Sequence, residues 1–141
     1  MNAAPKALAS FEVGQRASIA FAVTAEEMAA FAALSGDYNP LHSDAAFAAA
    51  RGFAGRVVYG ALLVAKLSRL IGMELPGRDA LWTGLDIQFA APLLVGEEAV
   101  LEAVVAQVSP ATKSMVLRVS LKRDDRVLAR GKATVSMRDG G

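Results

Sequence analysis

From about Leu81 onward, apolar and polar residues alternate along the chain. In Lys113 to Arg123, Met115, Leu117, Val119 and Leu121 are interleaved with Ser114, Arg118, Ser120 and Lys122. A period of two sends alternate side chains to opposite faces. The stretch therefore predicts an antiparallel strand with one buried face. Asp124-Asp125 makes a hairpin turn. Beyond it, Val127, Ala129, Ala133, Val135 and Met137 are interleaved with Arg126, Arg130, Lys132 and Thr134. Two more strands are predicted over Leu81 to Phe89, ending before Pro92, and over Ala99 to Val108.

The first half reads differently. Ala17 to Val23 predicts a short strand. Thr24 then stands as an N-cap with Glu27 three residues on, the signature of a capping box. The helix it opens carries Met28, Phe31 and Leu34 as an apolar stripe and ends at Gly36. Asp-Tyr-Asn-Pro is a turn by its chemistry. Asp44 caps a second short helix, Ala45 to Arg51, closed by Gly52, and Gly52 to Val58 is a connecting loop. Ala61 to Gly72 is apolar almost all round, which predicts a buried central helix stopped by Pro76-Gly77. Lys66 and Arg69 read as charges that snorkel to solvent from it, with phosphate binding as a minority reading. Long antiparallel strands after a buried helix define an α+β fold. No repeat, linker or low-complexity tract interrupts the 141 residues, so one domain is expected over 1–141.

Composition narrows the function. The formal net charge of +1 gives no basic field for nucleic acid. The absence of cysteine removes disulfides, zinc-thiolate sites and thiol nucleophiles, and fits a reducing cytoplasm. Met1 to Leu8 has no continuous apolar block, so no secretory leader is expected there. Gly60 to Leu70, broken by Lys66 and Arg69, is too short to span a bilayer. High apolar content in a small chain suggests that a second subunit covers part of its surface.

The one histidine lies in Ser35-Gly36-Asp37-Tyr38-Asn39-Pro40-Leu41-His42, five positions after a carboxylate and across a turn. Histidine is the side-chain type that changes charge near neutral pH. Asp37 and His42 are therefore the first candidates for proton chemistry. Taken singly, Asp37 reads as an Asx-turn residue and His42 as a structural histidine. Asn39-Pro40 reads equally as a turn.

The full pattern tips the balance. Ser35 to Asp44, then Phe47, then Val57-Val58-Tyr59-Gly60 opening a helix, resembles the MaoC-like, R-specific enoyl-CoA hydratase family. Phe89-Ala90-Ala91-Pro92, followed by Gly96-Glu97, resembles the same family's strand and turn. The resemblance runs from about Phe31 to Met137. It implies a hot dog fold, a long helix wrapped by a curved antiparallel sheet, in a homodimer. It implies that Asp37 and His42 are the catalytic pair and that the Gly60 backbone N–H polarises a thioester carbonyl. Tyr59 stands where the family usually has His, and is expected to shape the pocket wall beside that carbonyl. Asn39 is placed to fix the turn or orient His42. Ser68 matches a serine on the central helix of some members, as a pocket or supporting residue.

Hydrating a double bond conjugated to a thioester needs an activated water, a proton for the α-carbon and stabilisation of charge on the thioester oxygen. The pair can serve the first two, and an amide at a helix start the third. The expected activity is R-specific hydration of trans-2-enoyl thioesters, or the reverse dehydration of R-3-hydroxyacyl thioesters. The acyl carrier would be coenzyme A or an acyl carrier protein. No cofactor or metal is called for. The alternatives are an acyl-CoA thioesterase, disfavoured because Gly60 to Gly72 contains no Asp or Glu, and a non-catalytic acyl-thioester-binding subunit, disfavoured by the presence of the pair.

Overall fold

A computed structural model describes residues 7–138. Residues 1–6, on which most of the leader reading falls, and residues 139–141 lie outside that range. Five strands form one antiparallel sheet: β1 (Arg16–Ala22), β2 (Ala80–Phe89), β3 (Glu98–Ser109), β4 (Ser114–Arg123) and β5 (Arg126–Met137). Their spatial order is β1-β3-β4-β5-β2, which leaves β1 and β2 as edges. Four α-helices, α1 (Ala25–Ser35), α2 (Pro40–Ser43), α3 (Ala45–Ala50) and α4 (Gly60–Met73), fall between β1 and β2, and a short 3₁₀ turn, Leu8–Ser10, precedes β1.

The core lies between α4 and the inner face of the sheet. Leu62, Leu63, Leu67, Leu70 and Ile71 of α4 are buried against Leu101, Ala103 and Val105 of β3 and Met115, Leu117, Val119 and Leu121 of β4. A long helix held in a curved antiparallel sheet is the hot dog arrangement. One side of α4 faces outward, however: Ala61, Ala65, Ser68 and Arg69 are exposed in the single chain. The helix is buried on one side rather than all round.

Lys66 does not snorkel. Its side chain is 17% exposed, and Nζ bonds Glu27 Oε2 closely, joining α4 to α1. Glu27 is doubly used, because Oε1 also accepts from the Thr24 N–H at 3.1 Å while Thr24 Oγ1 accepts from the Glu27 N–H at 3.1 Å. That is the expected capping box. The stripe on α1 departs from expectation at Leu34, which is 86% exposed. Steps of three drift backward by roughly 60° each on a helix of 3.6 residues per turn. Two such steps carry Leu34 off the face that buries Met28 and Ala32.

The β4 alternation is as expected, but β5 contains a bulge. Leu121 pairs with Ala129, and Lys122 with Val127, so Leu128 is the extra residue. Leu128 and Ala129 are both buried, and Val127 is only half-buried. The Leu128 carbonyl accepts from Ala90 N–H at 2.8 Å and Ala91 N–H at 3.1 Å. The bulge thus seats the segment that follows β2. Gly131 makes a close approach possible nearby, since a Cβ there would fall on the Asp86 carbonyl of β2.

Candidate active site

The turn between α1 and α3 is built by short-range bonds. Gly36 caps α1 in the left-handed region, at φ 77°. The Asp37 N–H donates to Ser35 Oγ at 3.1 Å, and Asp37 Oδ1 accepts from the Asn39 N–H at 3.1 Å. Asn39 Oδ1 accepts from the Leu41 N–H at 3.0 Å, which makes Asn39 the N-cap of α2 with Pro40 at its first position. The chain chemistry that reads as a turn therefore also starts a single helical turn, and His42 rides on it. The His42 N–H donates to the Asn39 carbonyl at 3.0 Å.

His42 is half-buried and held in two directions. Its Nδ1 lies 2.6 Å from the Val57 carbonyl oxygen. A carbonyl only accepts, so Nδ1 carries the hydrogen, and Nε2 of the neutral ring keeps its lone pair. The imidazole also stacks on the Tyr59 ring, with centroids 4.0 Å apart and planes 26° apart. Val57 is fixed in turn, its N–H donating to the Leu41 carbonyl at 3.2 Å. The Asp37 carboxylate is exposed and close in sequence to exposed Tyr38 and Leu34.

Tyr59 is buried, 3% exposed. Its phenol donates to the Asp37 main-chain carbonyl at 2.6 Å, and the Phe31 ring also lies against it, with centroids 4.7 Å apart. Burial raises the phenol's pKa above its ordinary value, and the negative charge of Asp37 adds to the rise. The group therefore stays protonated and donates.

Two cavities meet at His42. One, of about 300 Å³, is lined by His42, Gly60, Leu63, Phe89, Ala90 and Ala91, among others. Gly60 is the first residue of α4. Among the described residues no main-chain or side-chain acceptor takes its N–H. The donor lies at the positive end of a 14-residue helix. A Cβ at Gly60 would stand 3.4 Å from the Phe89 ring, so glycine keeps this wall open. The other cavity, of about 230 Å³, is lined by Met28, Ala32, Tyr38, His42, Arg56 and Tyr59, among others. A larger hollow of about 740 Å³ lies at the β4–β5 turn, beside the Arg123–Glu97 ion pair of 3.2 Å. None of the candidate residues lines it.

The structure thus brings His42 and Gly60 to one cavity and His42 and Tyr59 to the other, while Tyr59 bonds Asp37. Tyr59 is absent from the lining of the cavity onto which Gly60 opens. Ser68 is exposed on the outer side of α4 and lines neither cavity of this chain. The Val57 carbonyl was not foreseeable from sequence, since a backbone acceptor has no side-chain signature. Arg56 and Tyr38 are the other additions. Among the described residues no three His, Cys, Asp or Glu side chains gather as a metal cluster.

A hot dog fold with a histidine-lined cavity at the start of its long helix defines the class, and the comparisons define the family. The profile of the MaoC like domain matches residues 9–126, and the chain belongs to this family. It is 46% identical over 93 residues to the (R)-specific enoyl-CoA hydratase of Aeromonas caviae, covering 66% of this chain and 69% of that one. It is 30% identical over 122 residues to the (R)-specific enoyl-CoA hydratase of Rhodospirillum rubrum, covering 86% and 85%. Among solved structures, an (R)-hydratase from A. caviae involved in PHA biosynthesis superposes with a TM-score of 0.87 at 37% identity, covering 91% of this chain and 98% of that one.

Proposed function

We propose that this chain is an R-specific enoyl-thioester hydratase, adding water reversibly to trans-2-enoyl thioesters. The observation that carries the reading is that His42, with Nδ1 engaged by Val57, lines the same cavity as Gly60, whose N–H has no protein acceptor. The names of the relatives support the same chemistry.

In the hydration direction, the thioester oxygen lies at the Gly60 amide. Asp37 and His42 grip one water and withdraw a proton as its oxygen bonds the β-carbon. Electron density moves through the conjugated system to the thioester oxygen, where the amide and the helix dipole meet it. The pair then returns a proton to the α-carbon, so that the elements of one water are added and the enzyme is unchanged. Dehydration runs the same steps backward. The reacting atoms belong to the acyl group, so coenzyme A and an acyl carrier protein both serve as carriers.

The working unit in this reading is one domain paired as a homodimer. The exposed Ala61, Ala65 and Ser68 side of α4 and the apolar Leu81 and Phe89 of edge strand β2 support it. A cytoplasmic location accords with the lack of cysteine. Among the described residues no helix is long and apolar enough to cross a membrane.

The test is loss of enoyl absorbance with crotonyl-CoA, with chiral analysis of the product. Formation of R-3-hydroxybutyryl-CoA without release of free thiol is expected. Thiol release would indicate a thioesterase, and binding without turnover a binding subunit.

A further inference from the structure

We infer that Tyr59 is a positioning residue that locks Asp37 and His42 into one arrangement, an inference that rests on the hydratase reading above. Its side chain contacts both members of the pair. Its hydroxyl donates to the Asp37 carbonyl at 2.6 Å, and its ring stacks on the His42 imidazole at 4.0 Å. The two contacts use different parts of the side chain, so they can be removed separately.

The surrounding geometry explains why a phenol suits this place. Asp37 is in the exposed turn after α1, and its carboxylate is braced only locally, by the Asn39 N–H. Nothing in that local bond relates Asp37 to α4. Tyr59 is the N-cap residue of α4 and is buried in the core, so it is anchored where Asp37 is not. The bond from its hydroxyl, spanning 22 residues, ties the turn to the helix whose first amide is Gly60. A phenol carries its donor farther from Cα than an imidazole does, and so reaches the carbonyl across the gap. The Phe31 ring at 4.7 Å backs the phenol. His42, meanwhile, is fixed at its edge by Val57 and on its face by Tyr59. Tyr59 thus sets the distance and angle between two groups that must meet the same water. Misplacement by about 1 Å costs catalysis on the order of 100-fold.

Three variants separate the parts. Tyr59→Phe keeps the ring and loses the tether, Tyr59→Leu loses both, and Tyr59→Phe is repeated in an Asp37→Asn background. Hydration of crotonyl-CoA is expected to fall by about 10-fold in kcat for Tyr59→Phe and about 100-fold for Tyr59→Leu, with KM within about twofold. In the Asp37→Asn background, Tyr59→Phe should lower kcat by less than about twofold, because the residue acts through Asp37. A kcat within twofold of wild type for Tyr59→Phe, or an equal loss in both backgrounds, would overturn the inference.

A second arm needs no turnover. His42 is the only histidine, so the imidazole signals of histidine-labelled protein belong to it alone. Tyr59→Phe should keep the ring-current displacement of its protons, and Tyr59→Leu should abolish it. Unchanged proton shifts in folded Tyr59→Leu protein would overturn the stacking role. Wild-type protein inactive on enoyl thioesters would defeat the hydratase reading instead, while the spectra still decide whether Tyr59 holds His42.

Discussion

His42 and Val57 are joined through a ring nitrogen and a main-chain carbonyl, 2.6 Å apart across 15 residues of sequence. Because the acceptor is backbone, no substitution at Val57 deletes it. The bond selects the hydrogen position on the ring, and the Leu41–Val57 main-chain bond keeps α2 beside the segment leading into α4. The edge of the histidine is thus held by the main chain, and its face by Tyr59.

Asp37→Asn and His42→Ala should each leave folded protein with hydration lowered by about 100-fold or more, the scale of positioned acid–base groups. The double variant should lose little beyond either single one, because both act on one water. Steady-state kinetics with crotonyl-CoA check this, and near-normal turnover in either single variant would remove the pair from the mechanism.

Gly60→Ala brings a methyl group into van der Waals contact with the Phe89 ring, at 3.4 Å, and narrows the cavity beside the helix start. Activity should fall by roughly 10-fold, the low end of pocket-wall effects. Adding Phe89→Leu should recover part of the loss if crowding is the cause. No recovery would place the defect at the amide itself.

Glu27→Gln retains the capping acceptor and removes the charge facing Lys66. Glu27 has its pKa lowered below 4.5, chiefly by the Lys66 hydrogen bond. A lowered carboxylate pKa stabilises the fold above the unfolded value, and that stability is lost as pH falls through the folded one. The variant should therefore melt below wild type at neutral pH, by about 1 kcal/mol or less for this partly exposed pair. The two should converge in acid below pH 4.5. A constant difference across the pH range would contradict this.

Gly131→Ala should destabilise the protein by more than about 2 kcal/mol, because its methyl group collides with backbone rather than a movable side chain. Urea denaturation measures it. Wild-type stability would mean that β2 and β5 separate more readily than their register implies.

Light scattering should show a dimer at micromolar concentration. Leu81→Lys, placing a charge on an exposed apolar position of edge strand β2, should shift it toward monomer if that edge pairs. A wild-type monomer would overturn the dimer.

Local chemistry was well signposted in the residues. Thr24 with Glu27, Gly36, and Asp44 are caps whose bonds span two to four positions, and each forms where the sequence places it. The β4 alternation is equally direct, since its inward-facing Met115, Leu117, Val119 and Leu121 are all buried. What sequence reading missed was set by distant parts of the chain. The extra residue at Leu128 depends on how β5 meets β4, and alternation alone extends straight through it. Ser68 lies on a surface whose burial depends on neighbours beyond its own helix, whereas Leu34 is a local exception, carried off the buried face of α1 by the helical period. The Asp37, His42 and Gly60 motif was visible, but the reach of Tyr59 to a carbonyl across the turn was not. A side chain's identity does not announce a long-range main-chain partner.

The bulge at Leu128 separates two jobs that many pocket walls combine. Ala90 and Ala91 are held in place by their amides, both donating to one carbonyl on β5. Their methyl groups take no part in that attachment. The wall can therefore be resurfaced residue by residue while its path stays put. Under the proposed hydratase reading, larger side chains at Ala91 would shorten the space offered to an acyl tail, and His42 would stay where it is. The scaffold thus leaves the shape of the cavity open to drift or to engineering, while His42 on the same cavity keeps its bond to Val57.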